Sequence, residues 1–234
     1  MPVIVFLVMS MAWSASAQDR EMYRARAVKH DANGEYANAL EDFNRLLKLG
    51  PGSAGDYNRR GSVHFKLGRI DESIADFDKA IQLDPAQEPH HWQRGISYYY
   101  AGRFDEGRRQ FELHRTVNPQ DVENAVWHYL CQARLGKPEE ALKALIPIRH
   151  DSRIPMMQIY ALFQGKGSIE EVMRAAQGSN TRQDSLFYAH LYIGLYHEAH
   201  GNAQEAGKHI RLADGMNAGH YMWNVANVHA RRLK

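Results

Sequence analysis

Residues 57–85 read YNRRGSVHFKLGRIDESIADFDKAIQLDP, and the spacing of Tyr57, Gly61, His64, Gly68, Ile70, Ser73, Phe77, Ala80 and Pro85 decides the fold. Gly68 falls where a first helix must end, because glycine takes the left-handed C-cap conformation at no steric cost. A second helix then opens with Ile70. Ser73 is small enough for the two helices to approach closely, and Phe77, one turn on, fills the space between hairpins. Pro85 closes the unit, since it cannot continue a helix and restricts the residue before it.

The same marks recur outward in both directions. Gly34, Gly68, Gly102 and Gly136 are each 34 residues apart. Phe43, Phe77, Phe111 and Leu145 keep that step, as do Ala39, Ser73, Gly107 and Ala141, and Pro51, Pro85 and Pro119. Gly61 and Gly95 hold a further register, seven residues before their turn glycines. Several registers running in phase at one period define a repeat array, which has to be sought before any other pattern.

Later repeats loosen. The fourth keeps Gly136, Ala141 and Leu145 but carries Tyr129 where the earlier ones have small residues, and it lacks the closing proline in register. Gly167 is the next expected turn glycine, 31 residues after Gly136, so the fifth repeat is shortened, with a first helix from Pro155 to Gln164. Met156, Tyr160 and Phe163 give that helix an apolar face. Gly194, Gly201, Ala206, Ile210 and Ala213 mark a sixth repeat, and an amphipathic helix from Tyr221 to Leu233 caps the array.

This pattern resembles the tetratricopeptide repeat. The resemblance implies an all-α fold, a right-handed solenoid of about six helix-turn-helix repeats plus a C-terminal capping helix. Repeats are expected over about 20–53, 54–87, 88–121, 122–152, 153–184 (degenerate) and 187–220, with the cap at 221–233 and one domain from 18 to 234. Ile159 to Gly165 and Ser168 to Met173 also resemble the off-pattern helix pair of NlpI-type periplasmic repeat proteins. That second resemblance implies an envelope adaptor, often a homodimer, that binds a protease or peptidoglycan hydrolase. The chain departs from those proteins in lacking a lipobox cysteine.

Residues 1–17 read as a signal peptide. Pro2 to Trp13 carry no charge, a run too short for the ~20 residues that span a bilayer. Ala15-Ser16-Ala17 then offers the small-x-small pattern of a cleavage site before the polar switch at Gln18-Asp19-Arg20. The expected location is periplasmic or secreted, with no membrane span.

Net charge is +2 from 29 basic and 27 acidic residues, and no basic run marks a nucleic-acid footprint. A single cysteine, Cys131, excludes an intrachain disulfide. There is no His-Glu-x-x-His, no phosphate loop and no Gly-x-Ser-x-Gly elbow, so neither catalysis nor a cofactor is expected.

Function is therefore expected on the concave face, which the first helices line in this fold. Arg24, Asn58, Arg59, Ser62, Trp92, Tyr99, Trp127 and Arg134 are the candidates for a groove that binds a protein or peptide. Aromatic and guanidinium groups are the usual anchors of such contacts. The Lys/Asn/Arg cluster that grips a chaperone C-terminus in similar repeat domains is missing in either alignment of the turn glycines. Two rival readings are a structural, self-associating oligomer and a metal or enzymatic site. The latter would use the histidines, either His90-His91 or His190, His197, Glu198 and His200. No metal site is expected from their spacing.

Overall fold

The computed structural model describes residues 3–136 and 138–233, with side-chain surroundings from 17 to 136 and from 139 to 233. The described residues form α-helices and one 3-10 turn, with no strand among them: α1 (Val3–Ala32), α2 (Tyr36–Lys48), α3 (Ala54–Lys66), α4 (Ile70–Leu83), the 3-10 turn Pro85–His90, α5 (Trp92–Tyr100), α6 (Phe104–His114), α7 (Val122–Arg134), α8 (Pro138–Lys143), α9 (Met156–Phe163), α10 (Ile169–Gln177), α11 (Arg182–Ala199), α12 (Ala203–Gly215) and α13 (Tyr221–Ala230). They fall into two compact units, one up to Gln87 and one from Glu88 onward. The side chains of the expected signal peptide lie, but for Ala17, outside the described residues.

The first unit is two hairpins, α1–α2 and α3–α4, with α2 laid on α3. Gly34 and Gly68 make both reversals at φ 77° and 78°. Past each glycine the next amide reaches back into the helix, Glu35 N–H to His30 O at 2.8 Å and Arg69 N–H to His64 O at 2.9 Å, which satisfies an end carbonyl. Ser53 and Asp56 form a capping box that starts α3. Gly61 has a packing role, because a Cβ there would lie 3.0 Å from the Phe77 ring. That ring is fully buried, as are Phe43, Leu46, Val63 and Phe65.

The second unit continues the scheme through α5–α6 and α11–α12, turning on Gly102 (φ 75°) and Gly201 (φ 77°). Gly95 again makes room for a ring: a Cβ there would sit 2.7 Å from Phe111 Cζ. Gly194 does the same for Ile210, at 2.9 Å.

One expectation is corrected here. The turn after α9 is made by Gly165, at φ 69°, and not by Gly167. Lys166 N–H closes that helix end on Ala161 O at 3.0 Å. In the fourth repeat the second helix, α8, stops at Lys143. Pro147 accounts for the early stop, since it removes an N–H and pushes Ile146 out of helical geometry. The chain from Ala144 onward instead runs non-helically with Ile146 and Ile148 buried. Tyr160 holds it there, donating to Ile146 O at 3.1 Å and accepting from Ile148 N–H at 3.2 Å.

Candidate interaction surfaces

In the first unit the four candidates lie on α1 and α3. Arg24 is engaged from both sides: Nε donates to Asp56 Oδ1 at 2.7 Å, Nη2 donates to Asp56 Oδ2 at 2.9 Å, and Nη1 pairs with Glu21. It ties α1 to α3. Burial alone would raise the Asp56 carboxyl, but Arg24 and the Ser53 amide and hydroxyl bring it down to about 2. Arg59 is exposed, and Asn58 and Ser62 are half-buried. Asn58 Oδ1 is buried with no hydrogen-bond partner.

In the second unit the expected groove is occupied by the chain itself. Tyr99 and Trp127, expected as accessible anchors, are 4% and 1% exposed. The cause is that α11 and α13 cross the face of α5 and α7. Tyr192 O–H donates to Glu123 Oε2 at 2.6 Å, and Tyr99 O–H donates to Glu198 Oε2 at 3.2 Å. Tyr100 Oη and His229 Nδ1 are 3.0 Å apart, and the Trp92 and Tyr221 rings meet edge to face at 5.2 Å. Arg134 stays exposed but is committed, with Nη1 on Glu198 Oε1 at 3.1 Å and its guanidinium 5.0 Å from the Phe104 ring. The capping helix therefore does two things: it covers α12 and it reaches α5.

The cover leaves a cavity of about 250 Å³, lined by Trp92, Ile96, Phe111, Asn124, Trp127 and Met222 among others. Trp127 Nε1 and Asn124 Oδ1 are both buried without a hydrogen-bond partner, although each residue lines this space. An unmet buried donor or acceptor costs about 1–3 kcal/mol, so the site gains from any guest that meets them. At the rim, Glu123 takes Arg153 Nη1 at 2.5 Å, and burial still pushes its carboxyl up to about 7 against that pull.

A set of polar locks went unseen in the sequence. Arg26, Arg60, Arg94 and His128 recur at 34 residues, as do Asp42, Asp76 and Gln110. Arg26 and Arg60 each grip the aspartate sixteen residues on, and Arg94 Nη1 reaches Gln110 Oε1 at 3.0 Å. His128 turns to Glu112 at 3.3 Å instead. Comparing polar columns at the repeat period would have found them.

The histidine group expected from spacing is divided. Glu198 faces Tyr99 and Arg134, and His200 Nδ1 bonds to Tyr196 O at 2.8 Å. His90 is exposed, and the buried His91 is the N-cap residue of α5. His197 instead meets Glu205 and His209.

Residues 56–87 match the family model of the tetratricopeptide repeat. The in-phase registers and helical hairpins carry that repeat pattern along the chain, an all-α array of tetratricopeptide-type repeats, and such repeats suggest a protein–protein interaction scaffold. No curated protein matches the chain. Among solved structures, a tetratricopeptide repeat protein from Parabacteroides merdae is similar at 15% identity, with a TM-score of 0.56 over 88% of this chain and 82% of that one. The C-terminal part of a TPR repeat-containing protein from Cytophaga hutchinsonii aligns over 88% of this chain and 87% of that one, at 15% identity and a TM-score of 0.31. The first likeness speaks to the fold alone. Among the described residues no helix is long and apolar enough to cross a membrane.

Proposed function

We propose that this chain is a non-catalytic adaptor of the cell envelope, exported by its N-terminal segment, that holds a protein or peptide through the cavity that α11 and α13 leave beside α5 and α7 in its second unit. The observation that carries this reading is the cavity beside Trp92 and Trp127, where the indole Nε1 and Asn124 Oδ1 wait unpaired. A side chain with an apolar body and a polar tip would fill that space and satisfy both. The rigid aromatic lining supplies contact area at low entropy cost. An envelope protease or hydrolase is the partner class that the NlpI-type resemblance suggests. The apolar run and Ala15-Ser16-Ala17 support the location.

The test begins with a pull-down from an envelope extract and the mass of the native chain, which should start at Gln18. Affinity for the identified partner is then compared between wild type, Trp92→Ala and Asn124→Leu, each checked by circular dichroism. Trp92→Ala should weaken binding by about 2 kcal/mol or more. Equal affinity in all three would move the site to the Asn58–Arg59–Ser62 face of the first unit.

A further inference from the structure

Three imidazoles and a carboxylate meet where α11 and α12 fold together. His190 and His197 are seven residues apart on α11, and Glu205 and His209 are four apart on α12. Each pair therefore shares one helix face. The turn at Gly201 sets the two faces together. Ligand atoms of His197, Glu205 and His209 all lie within 4.8 Å of one another. His209 is buried while His197 and Glu205 are half-buried, so the group is open to solvent on one side. Behind it, His190 Nδ1 stands 3.0 Å from His209 Nδ1.

A purely structural role leaves this arrangement unexplained. Buried histidines usually spend their ring nitrogens on carbonyls or carboxylates, yet the His209 ring has another imidazole as its hydrogen-bond partner, and among the described residues only the backbone of His197, not its ring, is hydrogen-bonded. Burial first, and then the neighbouring histidines and Lys208, hold His209 down to about 4. Burial likewise lowers His190 and His197.

We infer that His197, Glu205 and His209 form a binding site for a divalent ion of the zinc class, with His190 orienting His209 from behind. Two imidazoles and one carboxylate suit zinc, whereas magnesium and calcium call for an all-oxygen set. Bonds of about 2.0–2.2 Å place tetrahedral ligand atoms about 3.4 Å apart, a modest closure of the observed trio. A hydrogen bond from His209 Nδ1–H to His190 Nδ1 would fix the tautomer that leaves Nε2 for the metal. The fourth position stays open, to water or to a group from a bound partner. Lys208 is an opposing cation at the site, with Nζ 3.1 Å from Glu205 Oε2, but its side chain is 60% exposed and can swing away. His200, one turn above His197, faces Tyr196 and takes no part.

The test uses the full chain without a histidine tag, stripped of metal and titrated with zinc against a chromophoric chelator. One equivalent of zinc per chain is expected, held less tightly as pH falls. Cobalt in its place should give a visible ligand-field band. His197→Gln and Glu205→Gln should each weaken zinc by at least about tenfold, and His190→Phe by about 10–100-fold, the range for an outer partner. His150→Gln, on an exposed loop, should change nothing. Circular dichroism establishes that each variant is folded. Sub-stoichiometric zinc in the wild type overturns the site. So does one equivalent held with unchanged affinity by both folded variants, His197→Gln and Glu205→Gln.

Discussion

The Arg60 guanidinium lies side-on against the Asp76 carboxylate, Nε to Oδ2 and Nη2 to Oδ1, both at 2.7 Å. Its remaining nitrogen, Nη1, donates to Asn44 Oδ1 at 2.9 Å, so one side chain joins the two helices of its own hairpin and the helix before. Asp76 is 7% exposed and Arg60 20% at the side chain, which leaves little water to replace either partner. Arg60→Met should therefore cost about 2–4 kcal/mol in urea denaturation, most of it from the stranded carboxylate. Adding Asp76→Leu should recover much of that loss. Equal stability of wild type and Arg60→Met would show the pair to be only surface decoration.

The rings that fill the glycine notches give a second check. Phe77 is fully buried and lies against Gly61. Phe77→Ala should cost about 3–5 kcal/mol. Gly95→Ala should cost about 1–3 kcal/mol by overpacking, because its new methyl would meet Phe111 Cζ at 2.7 Å. Losses below about 1 kcal/mol at either place would mean that the ring does not sit in the notch.

Asp56 sets the response of the first unit to acid. Its folded carboxyl is held at about 2, below the ordinary carboxylate value. A depressed carboxylate stabilises fully above its unfolded pKa of about 3.9, and that stability is lost as pH falls through the folded value. The share at stake is about 2 kcal/mol, lost between roughly pH 5 and pH 1. Arg24→Met should flatten this stretch of the stability–pH curve, read by thermal melts at stepped pH. A curve of unchanged slope would remove Arg24 from the account.

Trp127 and Trp92 should separate in their effects. Trp127 is 1% exposed, beneath Tyr99, Tyr100 and Phe111, so Trp127→Ala should lose about 3–5 kcal/mol of stability. Trp92 is half-buried, and its truncation should show chiefly in partner binding while the melt moves less. Calorimetry on both variants distinguishes them, and a larger melting shift for Trp92→Ala would reverse the assignment.

What could be read from the chain was whatever repeats. Gly34, Gly68, Gly102, Gly136 and Gly201 all take positive φ, as the spacing required. The apolar columns through Phe43, Phe77 and Phe111 all reach the core. Gly165 escaped notice because a second glycine stands two places on, and spacing alone cannot say which takes the strained conformation. Pro147 stands out of the register that Pro51, Pro85 and Pro119 keep, so the repeat pattern does not place the stop of α8 at Lys143. The column of Arg26, Arg60 and Arg94 was hidden for another reason: a search built on apolar periodicity passes over charges that face each other. Coverage of Tyr99 and Trp127 by α11 and α13 lies beyond any periodic argument. It depends on pairings such as Tyr192 with Glu123, which no 34-residue step encodes.

That same coverage divides the molecule by the order in which it can form. Arg26 finds Asp42, and Arg60 finds Asp76, across sixteen residues, so the first hairpins can settle as they leave the ribosome. Tyr100 must wait for His229, 129 residues later, and Tyr99 for Glu198, 99 later. Loop closure over such spans is slower, and until α13 is synthesised the aromatic face of α5 and α7 stays bare. A chain released before residue 221 would carry that sticky face permanently. The last helix thus acts as a seal on translation, separating finished molecules from those fit for aggregation or proteolysis.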